Sequence, residues 1–338
     1  MTGVEAWRAR RVAILGGAGF IGSNLALRLA TLGAAVTVVD ALVPGCGGHP
    51  ANLGADGAAL PFVRADLAVD AVPAAVLEAE VVFDLMGDPA HARSVADPRR
   101  DLTLNLVAQV ALLEALRRAG ARPRIVLAST RSVYGRPERL PVDETHPISP
   151  PDPNGIHKFA AEQYAVLYGR LYDLPIVRLR LSNVYGPRQG NRNAAHGVTG
   201  FLLGRLLRDE PVLLFGGGAF RRDWLMVDDA VDALLAAGSR ADAAGQAINI
   251  GHDNPASLRE FMTTARDLLG RGELRDAQLP ADQRAIDVGD YWTDPRTAER
   301  LLGWRAGTSL RDGLARTLDF YTRTPGGARW PPPSPSST

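Results

Sequence analysis

The sequence predicts an α/β fold in which a doubly wound parallel sheet is joined to a smaller α/β domain. Three observations carry this prediction. Apolar strand-like runs alternate with helical patterns over the first half of the chain, a glycine-rich turn follows the first run, and an acidic residue ends the second. Regular alternation of strand and helix is typical of a parallel sheet with helices on both faces. The 338 residues, of which 46% are hydrophobic, are enough to bury such a core.

The first predicted unit is a strand, a glycine-rich turn, a helix and a second strand. Residues 12–15 are all apolar, as expected for a strand buried on both faces. Gly16 permits a tight turn, Gly19 lets a pyrophosphate approach the N-terminus of the helix, and Gly22 lets the helix pack close to the sheet. Asp40 follows at about the spacing of an acid that binds the adenosine ribose hydroxyls. This unit predicts a Rossmann-type domain that binds a dinucleotide.

Three further strands are predicted to end near Asp66, Gly87 and Thr130. Ligands of parallel sheets bind where the carboxyl ends of the strands meet. We therefore expect Gly16, Asp40, Gly87 and Thr130 to converge on one crevice. Asp66 is either a contact of the adenine edge or an ordinary surface acid.

The regular alternation loosens after about residue 181, where glycine-rich and polar loops become frequent. We predict a dinucleotide-binding domain formed by residues 1–180 and about 223–250, and a smaller α/β substrate-binding domain formed by residues 181–222 and 251–323. The remaining tail, residues 324–338, is rich in Pro and Ser and is predicted to be disordered.

The composition argues against several classes of function. The formal net charge of +1 gives no general electrostatic reason to bind nucleic acid or a membrane surface. The single cysteine, Cys46, excludes an intrachain disulfide and a thiolate cluster, and no metal is expected. No apolar signal segment follows the N-terminal arginines, and no run approaches the ~18 apolar residues of a membrane helix. We expect a soluble, cytoplasmic protein.

Motifs beyond the first unit make the interpretation more specific. They are Gly16-Gly-Ala-Gly-Phe-Ile-Gly22, Ser129-Thr130 before Val133-Tyr-Gly, Lys158 before Ala-Ala-Glu162, Leu179-Arg-Leu-Ser-Asn183, Arg222-Asp-Trp and Arg284-Ala-Ile-Asp287. Their order and spacing, over roughly residues 11–321, resemble the extended short-chain dehydrogenase/reductase family. These are the NAD-dependent epimerases and dehydratases of nucleotide sugars, including nucleotide-sugar 4-epimerases.

The resemblance implies a cofactor and a substrate class. Its cofactor contacts fall on Gly16, Gly19, Phe20, Ile21, Gly22, Asp40, Asp66, Leu67, Gly87 and Lys158. Because no Arg beside Asp40 is available for a 2′-phosphate, NAD is favoured over NADP. A nucleotide-diphosphate sugar is the implied substrate, facing Arg131, Asn183, Arg222 and Arg284. Arginine forks suit a diphosphate because they bind it bidentately.

The sequence also departs from the family pattern. The family places a catalytic Tyr four residues before the Lys, and here that position is Asn154, with Lys158 retained. An amide does not titrate in this range and does not replace the phenol directly. The family's His-Leu-Ala-Ala segment is Asp84-Leu-Met-Gly87, and Arg131-Ser132 stands where dehydratases carry Asp-Glu. We do not expect 4,6-dehydration in its usual form.

The candidate catalytic residues are the retained Lys158 and three residues that could take over from the tyrosine, namely Thr130, Asn154 and His157. Thr130 is suited to hydrogen-bond a sugar hydroxyl, and Asn154 to orient a water molecule that carries a proton. His157 has the titration range of an acid/base, but on a regular helix it points about 100° from Asn154 and Lys158. His157 therefore reaches the sugar only if the turn is irregular, and otherwise it is an exposed or capping residue.

Three functions remain open from the sequence. The first is epimerisation of a nucleotide sugar by transient hydride transfer to NAD, with a non-standard acid/base. The second is a repurposed lyase, dehydratase or decarboxylase that does not need the tyrosine. The third is a catalytically weak protein that binds NAD or a nucleotide sugar. The resemblance further implies a homodimer formed through the predicted helices 101–119 and 159–172.

Overall fold

The computed structural model describes residues 4–278 and 288–332. The strands are β1 (Arg11–Leu15), β2 (Ala35–Asp40), β3 (Phe62–Arg64), β4 (Val81–Asp84), β5 (Arg124–Thr130), β6 (Ile176–Leu181), β7 (Asn183–Tyr185), β8 (Val212–Phe215), β9 (Arg221–Arg222), β10 (Trp224–Met226), β11 (Ala247–Ile250), β12 (Ala256–Ser257) and β13 (Leu274–Ala277). Seven of them form one parallel sheet in the order β11-β6-β5-β4-β1-β2-β3. This order and direction confirm the predicted doubly wound Rossmann-type sheet.

The α-helices connect these strands and cover the sheet. They are α1 (Phe20–Thr31), α2 (Ala74–Leu77), α3 (His91–Ala96), α4 (Pro98–Leu102), α5 (Ala108–Ala119), α6 (Pro153–Tyr172), α7 (Val198–Leu207), α8 (Val227–Ser239), α9 (Leu258–Leu269), α10 (Arg296–Leu302) and α11 (Leu310–Arg323). Apolar side chains of α1, α8 and α10 pack on one face of the sheet, and those of α2, α5 and α6 pack on the other. The sheet is thus the middle of three layers, and its central strands β1, β4, β5 and β6 are largely buried on both sides, whereas the edge strand β3 is mostly exposed.

A further apolar cluster lies beyond the main sheet. It is formed by side chains of α7, α9, α11 and the short strands β8 and β10, with Phe261 packed against Tyr185 and Trp224. The strand pairs β10–β7, β12–β9 and β13–β8 belong to small sheets of two strands each. The domain boundaries proposed from the sequence stay a prediction.

Helix α6, which carries the lysine motif, begins earlier than predicted. The predicted start was residue 159, whereas the helix begins at Pro153. Asp152 caps it by accepting a hydrogen bond from the N–H of Gly155 at 2.9 Å, and proline is favoured in the first turn. Asn154, His157 and Lys158 therefore all lie on regular helix.

The predicted helix 101–119 is interrupted in the structure. Helix α4 ends at Leu102, Thr103–Val107 forms one π-helical turn, and α5 continues to Ala119. Such a π-turn rotates the residues after it relative to the residues before it, and often occurs beside functional sites. Gly120 ends α5 in a left-handed conformation, as predicted.

The prediction of a disordered tail is wrong for residues 324–332. Trp330 is buried, and its indole N–H donates to Asn52 Oδ1 at 2.8 Å. Its backbone N–H donates to Asn191 Oδ1 at 2.7 Å. A compositional argument does not detect one aromatic anchor within a proline-rich segment. Residues 333–338 lie outside the described part of the chain.

Candidate active site

A cavity of about 370 Å³ lies where the carboxyl ends of β1, β2, β4 and β5 meet. This is the edge at which ligands of parallel sheets bind. Most of the residues predicted from the sequence to form the site line it: Gly16, Gly19, Phe20, Ile21, Gly22, Asp40, Asp66, Leu67, Gly87, Thr130, Asn154 and Lys158.

The glycine-rich turn forms one wall of the cavity and fits a pyrophosphate. Gly16 has φ +71°, and a Cβ there would lie 2.6 Å from the carbonyl oxygen of Leu85. A Cβ on Gly22 would lie 2.3 Å from the carbonyl oxygen of Gly16, so the close packing of α1 on the turn requires glycine. Gly19 has no side chain to cap α1. The first-turn N–H groups of α1 therefore remain suited to bind an anion.

Asp40 lies at the end of β2 and is held by the backbone around the turn. Its Oδ2 accepts a hydrogen bond from the N–H of Ala18 at 3.0 Å, and its Oδ1 accepts one from the N–H of Leu42 at 2.8 Å. Burial raises the pKa of Asp40, and these two hydrogen bonds oppose that rise. The carboxylate is thus fixed in direction at the cavity wall, as binding of a ribose diol requires.

Lys158 projects from α6 into the cavity beneath Gly87. Its Nζ donates a hydrogen bond to the carbonyl oxygen of Met86 at 2.8 Å. Burial lowers the pKa of Lys158, while the negative charges of Asp84 and Asp101 raise it. A Cβ on Gly87 would lie 2.8 Å from Nζ, so glycine is what allows the lysine to come this close to the chain.

Asn154 is buried and uses its amide group for structural hydrogen bonds. Its Nδ2 donates to the carbonyl oxygen of Asp88 at 2.7 Å and to Asp101 Oδ2 at 3.1 Å. The other oxygen of the same buried carboxylate, Asp101 Oδ1, lies 2.7 Å from His157 Nδ1. Asp101 therefore connects the end of α4 to two of the predicted catalytic positions.

The structure does not bring His157 together with Thr130 and Lys158. His157 is absent from the cavity lining, and its ring is bound to Asp101. The reason is the regular α6: a residue one position before Lys158 points to a different side of the helix. The irregular turn that would bring His157 to the sugar is absent from the described helix.

Arg131 and Asn183, two of the predicted substrate residues, form a cluster with Tyr291 beside the cavity. The Arg131 guanidinium lies 4.8 Å from the centre of the Tyr291 ring, and its Nη2 donates to Asn183 Oδ1 at 3.3 Å. Arg222 pairs with Tyr291 through the backbone only, and its guanidinium donates to the carbonyl oxygen of Gly289 and lies 5.9 Å from the centre of the Phe220 ring. Asn183 Nδ2 in turn donates to Oγ of Ser182, a cavity residue, at 3.2 Å.

One donor in this cluster fits an anionic ligand. Among the described residues, Nη1 of Arg131 is buried and has no hydrogen-bond partner. A buried guanidinium N–H without a partner is costly, and a phosphate oxygen would satisfy it. The fourth predicted substrate residue, Arg284, lies outside the described residues.

Three residues at the end of the cavity that carries Thr130 and Lys158 were not predicted from the sequence. They are His91, which lines the cavity at the start of α3, Asp152, which caps α6, and Asp101. His91 follows the carboxyl end of β4, a position at which loop residues of such sheets meet ligands, and this position was the available signal. Asp101 gave none, because its contacts are with residues of α6 that are distant in the sequence.

Comparison with known protein families fits this geometry. The model of the NAD dependent epimerase/dehydratase family matches residues 12–251. The chain belongs to this family. The predicted family and the predicted cofactor, NAD, are thereby confirmed, as is the expectation that the chain is an enzyme of this group.

Individual relatives are similar over nearly the whole chain. A UDP-glucose 4-epimerase of Mycolicibacterium smegmatis is 36% identical over 92% of this chain and 98% of its own length. The crystal structure of a UDP-glucose 4-epimerase from Thermotoga maritima with UDP-glucose is 30% identical, with a TM-score of 0.83 over 92% of this chain and 98% of that one. MoeE5 in complex with UDP-glucuronic acid and NAD is 31% identical, with a TM-score of 0.81 over 92% and 99% of the two chains.

The family includes more than one reaction. Other relatives, each 28% identical, are the UDP-glucuronic acid decarboxylase 1 of Xenopus tropicalis and a dTDP-glucose 4,6-dehydratase of Xanthomonas campestris. Membership alone therefore leaves the reaction of this chain open.

Among residues 4–278 and 288–332, none of the helices combines the length and apolar character that a bilayer crossing requires.

Proposed function

We propose that this protein is an NAD-dependent 4-epimerase of a UDP-hexose, with UDP-glucose and UDP-galactose as the first substrates to test. The observation that carries the proposal is the convergence of the glycine-rich turn, Thr130 and Lys158 on one cavity, next to Arg131, whose buried Nη1 has no hydrogen-bond partner among the described residues. The epimerases among the similar proteins, which match nearly the whole chain, support the same reaction.

Different residues along the cavity bind different parts of NAD and of the nucleotide sugar. Asp40 binds the adenosine ribose and the turn at Gly19 binds the pyrophosphate of NAD, which supplies the capacity to accept a hydride and return it. Lys158 binds the nicotinamide ribose, and Thr130 hydrogen-bonds the sugar hydroxyl that reacts. Beside the cavity, Arg131, Asn183 and Arg222 bind the diphosphate of the substrate, with Arg284 as a further proposed contact.

Asn154 occupies the position at which the family carries its catalytic tyrosine, and we assign it a structural role. Its Nδ2 donates to the carbonyl oxygen of Asp88 and to Asp101, so the amide holds the start of α6 against α4. An amide does not exchange protons near neutral pH. The reaction therefore uses a different acid/base.

The direct test is conversion of UDP-glucose by the purified protein supplemented with NAD, followed by chromatography of the nucleotide sugars. We expect UDP-galactose at a turnover number in the ordinary enzyme range, about 1–1000 per second. Failure to convert any UDP-hexose in either direction would contradict the proposal and favour the weak binding protein.

A second test, which uses the variant Asn154→Tyr, distinguishes epimerisation from a repurposed reaction. Asn154→Tyr restores the usual residue type, but it also breaks the two hydrogen bonds of the amide. If the native site is built for epimerisation, this substitution lowers or leaves unchanged the rate with UDP-glucose. A large gain in epimerase activity would instead indicate that the native site serves a tyrosine-independent elimination or decarboxylation.

A further inference from the structure

The imidazole ring of His91 contacts side chains from two other segments of the chain. Its Nδ1 lies 2.7 Å from Asp152 Oδ2, and its Nε2 lies 3.4 Å from Ser132 Oγ. The imidazole thus lies between the loop that follows Thr130 and the first turn of α6. Its side chain is 39% exposed and lines the same cavity as Thr130 and Lys158.

Asp152 is placed to hold one tautomer of this ring. Its side chain is only 2% exposed, and its other oxygen accepts the capping hydrogen bond from Gly155 N–H at 2.9 Å. Burial by itself raises the pKa of Asp152, but the bonds from His91 and Gly155 outweigh burial and keep the pKa below its usual value. A carboxylate on Nδ1 keeps the proton there, so that Nε2 is left as the basic nitrogen.

The segment that carries His91 is also fixed on its other side. Ser94, one turn further along α3, donates from Oγ to the carbonyl oxygen of His91 at 2.7 Å. The same Oγ accepts the backbone N–H of Asn154 at 3.3 Å. Helix α3 is therefore attached to α6 at two points, which fixes the ring relative to Asn154 and Lys158.

The other candidates for proton transfer at this end of the cavity either do not titrate or already bind another group. Asn154 does not titrate, Lys158 Nζ donates to the carbonyl oxygen of Met86, and His157 is bound to Asp101 outside the lining. Among the described residues that line the cavity, His91 is the one whose type exchanges a proton near neutral pH.

We propose that His91 is the acid/base of the reaction and that Asp152 is its positioning residue. The inference rests on the proposed epimerase function. In the oxidative half, the O–H bond of the C4 hydroxyl breaks and its proton goes to Nε2. Bound NAD⁺ would supply the hydride acceptor for the C4–H bond, so that C4 becomes a ketone while the cofactor is reduced. In the return half the same cofactor would give the hydride back to C4, and the proton returns from Nε2 to the oxygen.

The charged groups around the ring determine how the reaction should depend on pH. They are Asp152 at the start of α6, the Asp88–Arg93 pair at 3.3 Å on the ring's own segment, and Lys158 in the same cavity. A base must be unprotonated to accept the hydroxyl proton, so kcat for oxidation should fall towards acid pH as the imidazole gains a proton.

The main test substitutes His91 by Gln, which keeps hydrogen-bonding capacity but does not titrate. We expect kcat for UDP-glucose to fall by about 100-fold or more, with KM changed less than about threefold. The acid limb of the pH profile should disappear, and added imidazole should restore part of the rate. His252→Gln is the matched control, because His252 lies outside the cavity lining, and it should leave kcat and the pH profile unchanged.

Asp152→Asn tests the positioning role separately. The variant keeps an oxygen to cap α6 but removes the negative charge beside Nδ1. We expect a smaller loss of kcat than in His91→Gln and an acid limb moved to lower pH, because the imidazolium loses its partner. A merely structural role would lower the melting temperature of the variant without moving the pH profile.

A readout that does not depend on turnover uses diethyl pyrocarbonate, which modifies unprotonated imidazole nitrogens. Peptide mass spectrometry should locate a modification on His91 that UDP-glucose together with NAD slows, while modification of His252 is unaffected. If His91→Gln does not fold, His91→Asn replaces it in the same assays.

The outcomes separate the two proposals. A wild-type enzyme that epimerises UDP-glucose, with His91→Gln keeping its kcat and pH profile, overturns the role of His91 and leaves the proposed function standing. Modification of His91 that the ligands do not slow also contradicts the role. A wild-type protein that converts no nucleotide sugar overturns both.

Discussion

Lys158 is the only lysine in the chain, which makes its environment measurable with ordinary chemistry. Burial lowers its pKa, although the charges of Asp84 and Asp101 act in the opposite direction. With a lowered pKa, the neutral amine is present at a lower pH than in an exposed lysine. We predict that an amine-directed reagent labels this side chain with a midpoint below the usual lysine value, and that NAD slows the labelling.

Peptide mass spectrometry over a pH series measures this prediction, because it resolves the label on Lys158 from the label on the N-terminal amine. The N-terminal amine is the internal control, since it is the other primary amine in the sequence and NAD should not protect it. Equal protection of both amines by NAD, or a midpoint above the usual lysine value, would contradict the placement of Lys158.

A substitution at Gly87 tests the position of Lys158 by a second route. It has φ +136°, and a Cβ there would lie 2.2 Å from Asn105 Oδ1 and 2.8 Å from Lys158 Nζ. Gly87→Ala must therefore displace the lysine, and we expect the affinity for NAD to fall at least about tenfold, which corresponds to about 1.4 kcal/mol. Isothermal titration calorimetry is the measurement.

Gly120→Ala is the matched control for backbone strain. Gly120 also has a positive φ, +64°, but a Cβ there meets no atom within 4 Å. We expect a loss of stability of about 1 kcal/mol and an unchanged affinity for NAD. If both variants bind NAD as the wild type does, the close approach at Gly87 is not what positions Lys158.

At the scale of secondary-structure elements, Asp101 joins α4 to α6. Its buried carboxylate accepts hydrogen bonds from Asn154 Nδ2 and lies 2.7 Å from His157 Nδ1. Asp101→Ala leaves both nitrogens without this partner in a mostly buried position. We predict a loss of about 1–3 kcal/mol in the free energy of unfolding, measured by urea denaturation.

Asp319→Ala is the control for removing an acidic side chain from a helix. Asp319 forms an exposed ion pair with Arg323 at 2.6 Å on α11. Exposed pairs of this kind contribute little, so the stability should change by less than about 1 kcal/mol. Equal effects of the two substitutions would mean that Asp101 does not hold α6.

The features of this region that depend on neighbouring residues were predictable from the sequence, and those that depend on contacts between distant segments were not. The glycine turn and the acid at Asp40 were predictable, because local chain geometry sets their spacing. The Asn154–Asp101–His157 network was not, because Asp101 and the two residues that it contacts lie more than 50 residues apart in the sequence and meet only through tertiary packing of α4 on α6. The same holds for His91, whose role depends on the contact with Asp152.

At the scale of the whole molecule, the layered core follows from periodicity alone. Residues 12–15 are buried between two helical layers, as a continuous apolar run predicts. The C-terminal segment shows the opposite case, since Trp330 packs against Phe320 within a proline-rich stretch that composition marks as disordered. The Trp330 indole and backbone N–H groups each donate one hydrogen bond, and the carbonyl oxygens of Gly327 and Ala328 accept bonds from Asn191 and Arg208. An average over composition does not register such specific contacts.

An exposed groove lined by the π-turn, α5, residues 70–72 and Tyr164 of α6 supports the remaining whole-molecule prediction, a homodimer. Its lining includes the apolar side chains of Val107, Val110 and Ala111 and the ring of Tyr164, and both Val107 (42%) and Tyr164 (38%) are exposed. Asp70, Glu114 and Arg118 belong to the same lining, and an exposed apolar patch with polar residues around it is a common protein–protein contact. We predict a solution mass of twice the 36.1 kDa chain by light scattering.

Val107→Asp should shift this dimer towards the monomer, because it buries a charge in the predicted interface. Leu213→Asp is the matched control: Leu213 is also 42% exposed, but it lies on β8, away from the groove. We expect this control to keep the wild-type mass. A wild-type mass near 36.1 kDa would reject the dimer. A dimer that resists Val107→Asp but not Leu213→Asp would instead place the interface on the β8 side of the molecule.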